Sequence, residues 1–283
     1  MIPVGFDYVR PSTVEDAVAV LAADPDAKVI AGGQSLLPVL RLRLAAPTTL
    51  VDLRDVESLH GVRVAGDELV IGAMTTHDEI LHDQRVAEHA PLLAAATATV
   101  GDRQVRHLGT FGGSLSHADP AGDLPAAACA LAATMVAVGP NGRREIAADD
   151  FFVDYLTTTM APDEILVEVR VGDTAGWGFR YEKFNRMAQA WAIVSVAALV
   201  RRAGGGVTDT RVALGNMARR PVRARAVEQA FTGTGGDIGA VTAAAGHADE
   251  GTDPPSDVNG AADYRAHLSR VLTRRALVAA VGA

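Results

Sequence analysis

Apolar residues in the first fifth of the chain change spacing from one segment to the next. Over residues 12–23 they recur at helical spacing behind a capping box at residues 12–15, which predicts an amphipathic helix. The following segments predict a buried strand at 28–31, a short helix at 36–44 and a second strand at 49–53. This β–loop–helix–β order is typical of a small parallel unit.

From Gly61 the pattern becomes one of short alternating strands and alanine-rich helices. Val62 and Val64 alternate with polar residues, and Gly66-Asp67 makes a turn before residues 69–71, which predicts a hairpin. The later segments predict a helix opening at Thr76, a helix at 91–100, a helix at 126–133, a strand at 134–138, a turn at Asn141-Gly142 and a strand at 165–171.

A third pattern begins near Gly172. We predict strands at 179–184, 192–200 and 210–214, a helical segment at 222–231, a stretch with little regular structure at 233–260 except for a short helical piece at 240–245, and a closing helix from Tyr264 to Leu277. The chain therefore divides into a region of residues 1–172, with subdomains of about 1–57 and 58–172, and a smaller α+β domain of residues 173–283.

Two glycine-rich motifs stand out against this background. The first is Ala31-Gly32-Gly33-Gln34-Ser35-Leu36, and the second is Gly109-Thr110-Phe111-Gly112-Gly113-Ser114. Adjacent glycines adopt left-handed backbone angles at little cost, so successive N–H groups can turn inward as a nest for an anion. Each pair taken alone also fits a plain tight turn. Two such motifs, each between a strand-like and a helix-like segment, favour a diphosphate held from both sides.

Composition and charge exclude several classes of protein. The chain has 26 basic and 34 acidic residues, a net charge of −8, which argues against a nucleic-acid-binding protein. Cys129 is the single cysteine, so the chain can form no internal disulfide and holds no cysteine-ligated iron–sulfur cluster of its own. We expect no secretory signal, no transmembrane segment and a cytoplasmic location, and we interpret the uncharged residues 124–142 as a helix followed by a buried strand.

The familiar motifs of other nucleotide-binding and catalytic sites are missing. The sequence has neither a G-x-G-x-x-G after a strand nor a G-x-x-x-x-G-K-[ST], and its serines lie outside a G-x-S-x-G elbow. His117 with Asp119 and Asp123 is the one cluster that merits comparison with a metal site, and its spacing is not that of zinc ligands. We assign no catalytic acid–base residue and no metal ligand to this chain.

Several segments together resemble a known family. The chain resembles the FAD-binding medium subunits of molybdenum hydroxylases, which include carbon monoxide dehydrogenase and xanthine dehydrogenase types. Their second flavin motif is similar to four segments of this chain: Gln104-Val105-Arg106, the second glycine motif, Ala118-Asp119-Pro120 and Asp123-Leu124-Pro125. The first glycine motif with Leu37-Pro38 also matches. So do Pro3, Phe6, Tyr8 and Pro11-Ser12 at the start of the chain, and Lys183, Arg186 and Ala188-Gln189 later. The likeness extends over essentially the whole chain.

The resemblance implies a fold and a set of cofactor-binding residues. The fold would be α+β: a two-subdomain FAD-binding domain of the vanillyl-alcohol-oxidase (PCMH) type, followed by a smaller α+β domain. Residues matched to FAD contacts are Val29, Ile30, Ala31, Gly32, Gly33, Gln34, Ser35, Leu36, Thr110, Phe111, Gly112, Gly113, Ser114, Asp123, Leu166 and Lys183. Trp191 is a further candidate, whose aromatic face would lie against the flavin ring; packing in the core is the alternative. Lys183 near the isoalloxazine would stabilise electron-rich reduced flavin. The chain departs from the family at Ala190, where members usually have an aspartate.

The resemblance also implies cofactors and partners. FAD would be bound non-covalently, since neither glycine motif contains His or Cys. A large partner subunit would carry a molybdenum pterin and a small one the iron–sulfur clusters, in a dimer of heterotrimers. The chain would pass electrons from those clusters through FAD to an external acceptor. Two other interpretations are a stand-alone FAD-dependent oxidoreductase and a flavin-free structural or assembly subunit.

Overall fold

The computed structural model describes residues 2–282 and begins with a small parallel sheet. Its elements are β1 (Asp7–Val9), α1 (Val14–Ala23), β2 (Lys28–Ile30), α2 (Leu36–Arg41) and β3 (Thr49–Asp52). The strand order is β1-β3-β2 and both pairings are parallel, which confirms the predicted parallel unit. Helix α2 ends three residues earlier than predicted because Arg43 adopts a left-handed conformation, φ 57°.

A five-stranded antiparallel sheet follows, with α1 packed on one face and helices of its own segment on the other. A 3-10 turn (Glu57–Leu59) leads into β4 (Val62–Ala65), β5 (Glu68–Gly72), α3 (His77–His82), α4 (Gln84–His89), α5 (Pro91–Thr97), α6 (Arg103–Leu108), α7 (Phe111–His117), α8 (Asp123–Ala130), β6 (Thr134–Gly139), β7 (Gly142–Ala147), α9 (Ala148–Phe151), β8 (Phe152–Asp154), β9 (Thr157–Thr158) and β10 (Ile165–Gly172). The order of the five-stranded sheet is β4-β5-β10-β6-β7, and its pairings are antiparallel. The predicted hairpin and the predicted helix start at Thr76 are confirmed, and Thr76 forms a capping box with Glu79.

Helix α8 begins three residues before the predicted start. Gly122 precedes it, and Asp123 and Pro125 lie in its first turn, where an acidic side chain is favourable and a proline costs no hydrogen bond. The helix stops because Ala132 takes a left-handed conformation, φ 51°. With β6 it accounts for the uncharged stretch as a buried helix and a strand. Among residues 2–282, none of the helices has both the length and the apolar composition that crossing a bilayer requires.

The C-terminal region is a four-stranded antiparallel sheet with three helices. Its elements are β11 (Gly178–Phe184), β12 (Val194–Ala203), β13 (Gly206–Gly215), β14 (Val222–Arg223), α10 (Arg225–Phe231), α11 (Ile238–Ala245) and α12 (Ala262–Val281). The prediction of a continuous helical segment at 222–231 was wrong, because Val222 and Arg223 pair with Leu214 and Ala213 as a strand. The expectation of little structure after residue 233 missed the start of α11, which the Asp237 carboxylate caps.

The C-terminal sheet is covered on both faces. Ala197 and Leu199 of β12 belong to the core that α5, α7 and α8 build on the five-stranded sheet, whereas Val196 and Ala198 belong to the core formed with α10, α11 and α12. Because side chains alternate along a strand, β12 joins the two regions of the chain. The region of residues 1–172 and the C-terminal region are therefore held together by packed apolar surface.

Candidate functional site

The first glycine motif lies in the turn between β2 and α2. Its residues 31–36 are all half-buried, and Gly33 is left-handed at φ +72°. Among residues 2–282, the N–H groups of residues 32–35 have no hydrogen-bond acceptor within the protein. Because unpaired backbone donors at partial burial are costly unless a ligand or water accepts from them, this turn is suited to an anion.

The second glycine motif has a different conformation from the predicted nest. Neither Gly112 nor Gly113 has a positive φ; they form the first turn of α7, which Thr110 caps. The N–H groups of this turn are already used: Phe111 donates to Thr75 O at 3.0 Å, Gly112 to Ala73 O at 2.8 Å, Gly113 to Thr110 Oγ1 at 3.1 Å and Ser114 to Thr110 O at 3.0 Å. The nest hypothesis is therefore wrong for this motif.

Close packing explains the second glycine pair. A methyl group at Gly112 would lie 2.5 Å from the Ala73 Cβ and 2.8 Å from the Ala73 Cα. At Gly113 it would lie 2.7 Å from Thr110 Oγ1, the atom that caps the helix, and 3.5 Å from the Ala31 Cβ. The absence of a side chain thus lets α7 approach both Ala73, which directly follows β5, and Ala31 of the first motif.

The two motifs are in direct contact. A methyl group at Gly32 would lie 2.1 Å from Leu108 O and 2.7 Å from the Gly109 Cα. Backbone therefore packs on backbone between the two motifs, and a side chain at Gly32 would separate them. The prediction that the motifs meet in space is confirmed.

Asp123 and Lys183 form a buried ion pair between the two regions of the chain. Lys183 Nζ lies 2.8 Å from Asp123 Oδ2 and also donates to Thr99 O at 3.0 Å, while the Tyr181 hydroxyl donates to Asp123 Oδ1 at 2.7 Å. Burial raises the pKa of Asp123 above its ordinary value, and the Lys183 ammonium opposes that shift. Burial, with the Asp123 charge, raises the pKa of the Tyr181 phenol well above its usual value. The sequence analysis assigned both Asp123 and Lys183 to the FAD site, but it did not predict that they form an ion pair.

The remaining candidates differ in what they can offer a ligand. The side chains of Ile30, Phe111 and Leu166 are buried in the core at 7%, 0% and 4% exposure, so they can border a ligand only at the edge of that core or through their backbone. Val29 is half-buried, and Trp191 is 54% exposed in the loop between β11 and β12. Their contact with FAD stays a prediction.

Three residues near the site were missed by sequence reasoning. His77 is buried beside Gly109, Thr99 accepts from Lys183, and Tyr181 donates to Asp123. Burial, and secondarily the Arg106 charge, lowers the pKa of His77 to about 4. Tyr181 was detectable in principle, because it lies two residues before Lys183 on the same face of a strand. His77 and Thr99 have no local signal.

Two pockets lie away from the glycine motifs. One of about 540 Å³ is lined by Ser12, Thr13, Val14, Glu15, Asp55, Glu57 and Ser58. Another of about 250 Å³ is lined by Cys129, Ala148, Asp149, Phe152, Arg220, Pro221, Val222, Arg223 and Arg225. The acidic lining of the larger one disfavours an anion, and in the smaller one Arg223 is already paired with Glu228 and Arg225 with Asp149. The donor chemistry therefore favours the contact between the two motifs as the cofactor site.

Free backbone donors at a half-buried turn, closed by a second glycine segment, are typical of a protein that binds an anionic cofactor. The family described as FAD binding domain in molybdopterin dehydrogenase matches residues 4–173, and the CO dehydrogenase flavoprotein C-terminal domain matches residues 179–280. This chain belongs to that family: it is an FAD-carrying medium subunit of the molybdenum hydroxylases and an oxidoreductase subunit. The predicted order of an FAD-binding domain and a smaller α+β domain is confirmed.

Individual relatives support the same conclusion over the full length. The chain is 40% identical to the carbon monoxide dehydrogenase medium chain of Hydrogenophaga pseudoflava, covering 99% of this chain and 98% of that one. It is 37% identical to the nicotine 6-hydroxylase medium subunit of Paenarthrobacter nicotinovorans, covering 96% of each. The solved carbon monoxide dehydrogenase from Hydrogenophaga pseudoflava that lacks the Mo-pyranopterin moiety superimposes with a TM-score of 0.98 at 42% identity, covering 100% of this chain and 99% of that chain.

Proposed function

We propose that the two touching glycine motifs hold the diphosphate of FAD, and that the chain passes electrons between partner iron–sulfur clusters and an external acceptor. The observation that carries the proposal is the contact of Gly32 with Leu108 and Gly109, which brings the free N–H groups of residues 32–35 against the second motif. An anion at this contact would accept from several donors that otherwise lack partners.

The residues present fit the cofactor. The first motif supplies backbone donors and no carboxylate, and the second supplies the small residues that allow close approach. Neither motif contains His or Cys, and Cys129 is buried at 3% exposure, which supports non-covalent binding. When bound, FAD supplies one- and two-electron chemistry, and the protein supplies position and electrostatics. The paired Asp123 and Lys183 bring no net charge to the site.

The partner subunits and the domain boundaries of the chain are also proposed from its membership of the family. The relatives are medium chains or subunits, which supports assembly with a large molybdenum-pterin subunit and a small iron–sulfur subunit. The single cysteine of this chain supports placing the clusters on a partner. We place the FAD-binding domain at residues 1–172, with subdomains at about 1–57 and 58–172, and the C-terminal domain at 173–283. We place the assembly in the cytoplasm as a dimer of heterotrimers.

The flavin content of the purified full-length chain tests the site assignment. We expect about one FAD per chain, released intact by acid precipitation. The Gly113→Val variant should lose most of its flavin, because the added branch would meet the Thr110 hydroxyl and the Ala31 side chain. Gly5→Val is the matched control, since no atom lies within 4 Å of a methyl group at Gly5.

Three outcomes would contradict parts of this proposal. A wild-type chain that stays colourless after incubation with FAD would favour the flavin-free assembly subunit. Full flavin occupancy in Gly113→Val would overturn the site assignment. Turnover by the isolated chain, with no partner subunit present, would favour a stand-alone oxidoreductase.

A further inference from the structure

The loop of residues 185–192 follows Phe184, the last residue of β11, and leads to β12. The N–H of Ile193 donates to Phe184 O at 2.7 Å and closes the base of this loop. Between these two ends the loop is exposed: Arg186 faces solvent, Met187 is 71% exposed and Trp191 is 54% exposed. Within the loop, Asn185 Nδ2 donates to Met187 O at 2.6 Å and the Ala190 N–H donates to the same oxygen at 2.9 Å. Because so little of its side-chain surface is buried, the loop is held against the rest of the chain mainly by contacts at its ends.

Asn216 holds the C-terminal end of this loop. It follows β13 in a left-handed conformation, φ 60°, which asparagine adopts more readily than most residues. Its Nδ2 donates to Ala192 O at 2.7 Å and to Ile193 O at 3.3 Å. Its backbone N–H donates to Pro120 O at 2.7 Å, in the FAD-binding region. One residue therefore joins the end of the loop to the other region of the chain.

Arg265 also donates to the carbonyl of Ile193. Its side chain is fully buried in α12 and donates from Nη1 to Ile193 O, while Nη2 donates to Asp257 Oδ1 at 2.7 Å. Ile193 O thus accepts from both Asn216 and Arg265. Burying a charged side chain is costly unless its donors are satisfied, and these contacts satisfy it at the base of the loop.

Both ends of the loop are tied to one short segment of the FAD-binding region. The N-terminal end is held by Lys183 on Asp123, and the C-terminal end by Asn216 on Pro120, three residues away. We propose that Asn216 is a positioning residue that keeps the 185–192 loop closed against the FAD-binding region and thereby slows the release of flavin. The flavin part of this proposal rests on the proposed function, whereas the loop closure does not.

The Asn216→Asp variant isolates the side-chain donor. Aspartate has nearly the same shape and tolerates the left-handed conformation, but it replaces the Nδ2 donor by an oxygen facing the carbonyls of Ala192 and Ile193. Asn141→Asp is the matched control, because Asn141 is an exposed residue of the β6–β7 turn. Asn216→Gly is the second variant, since glycine adopts the same backbone angle and removes only the side chain.

Limited trypsin digestion of the full-length chain measures loop opening without any need for flavin. Cleavage after Arg186 yields fragments 1–186 and 187–283, which mass spectrometry identifies. We expect Asn216→Asp to raise the cleavage rate at this bond about tenfold, since two hydrogen bonds that hold the loop are lost. Asn141→Asp should cleave like wild type. Equal cleavage of Asn216→Asp, or of Asn216→Gly if the aspartate variant does not fold, would overturn the proposal.

The release rate of bound flavin, followed by the rise of its fluorescence after dilution, tests the consequence for the cofactor. We expect release from Asn216→Asp to be about tenfold faster than from wild type and from Asn141→Asp. Faster cleavage with unchanged flavin release would overturn the link to flavin. A wild-type chain that holds no flavin would count against the proposed function alone, since the digestion still decides whether Asn216 closes the loop.

Discussion

The Lys183 ammonium lies 2.8 Å from the Asp123 carboxylate, and the two side chains are only 7% and 4% exposed. The pair connects β11 of the C-terminal region to the first turn of α8 in the FAD-binding region. A buried pair of this kind is costly to break from one side, because the remaining charge is left without compensation. The pair therefore adds to the packed apolar surface that holds the two regions together.

Replacing Lys183 by methionine should be strongly destabilising. Asp123 would keep the Tyr181 hydrogen bond but lose its counter-charge, and the free energy of unfolding should fall by about 3–5 kcal/mol. Urea unfolding at neutral pH measures the change. The control is Arg10→Met, because Arg10 and its partner Asp55 are each 45% exposed and a pair so exposed contributes little to stability. Equal effects of the two substitutions would contradict the prediction.

The deficit of Lys183→Met should shrink on acidification. Burial already raises the pKa of Asp123 in the folded chain above 3.8, and removing Lys183 removes a contribution that lowers it. The folded state then binds the proton more tightly than the unfolded state, so the variant loses stability as pH rises through the interval above 3.8. Unfolding free energies at about pH 8 and about pH 5 should therefore show the larger deficit at the higher pH. A deficit that grows as pH falls would exclude this account.

The sequence was sufficient to predict that the two glycine motifs meet in space, but it did not predict the backbone conformation of each. Gly33 is left-handed, as an anion-binding turn suggests, whereas Gly112 and Gly113 are helical, and Ala73 and Thr110 leave no room for a side chain at either position. Those contacts come from residues outside the glycine pair. The ion pair of Asp123 joins residues sixty positions apart, and no local pattern marks such a contact.

Gly32→Ala tests the contact between the two motifs. The new methyl group would lie 2.1 Å from Leu108 O and 2.7 Å from the Gly109 Cα, and these are backbone atoms that cannot move aside as the end of a flexible side chain could. We expect a loss of about 1–3 kcal/mol in the free energy of unfolding and at least about tenfold weaker FAD binding, because the donors of the first motif move away from the second. Urea unfolding and an FAD titration measure the two effects.

Gly5→Ala is the control for that substitution. Gly5 is exposed, its φ is ordinary, and a methyl group there would meet no atom within 4 Å. This variant should bind FAD and unfold like wild type. If Gly32→Ala behaved in the same way, the two motifs would have to be farther apart than the structure places them.

His77 makes the chain sensitive to acid beside the second glycine motif. Its side chain is 4% exposed, its Nδ1 has no hydrogen-bond partner among residues 2–282, and burial lowers its pKa from 6.5 to about 4. The unfolded state therefore takes up the proton first, so stability is lost as pH falls from 6.5 toward 4, by about 3 kcal/mol in total. His77→Leu should remove this loss, and His267→Leu, at an exposed histidine of α12, should retain it. Urea unfolding of the three proteins at about pH 7 and about pH 4 measures the difference. An acid loss in His77→Leu as large as in wild type would show that another group carries it.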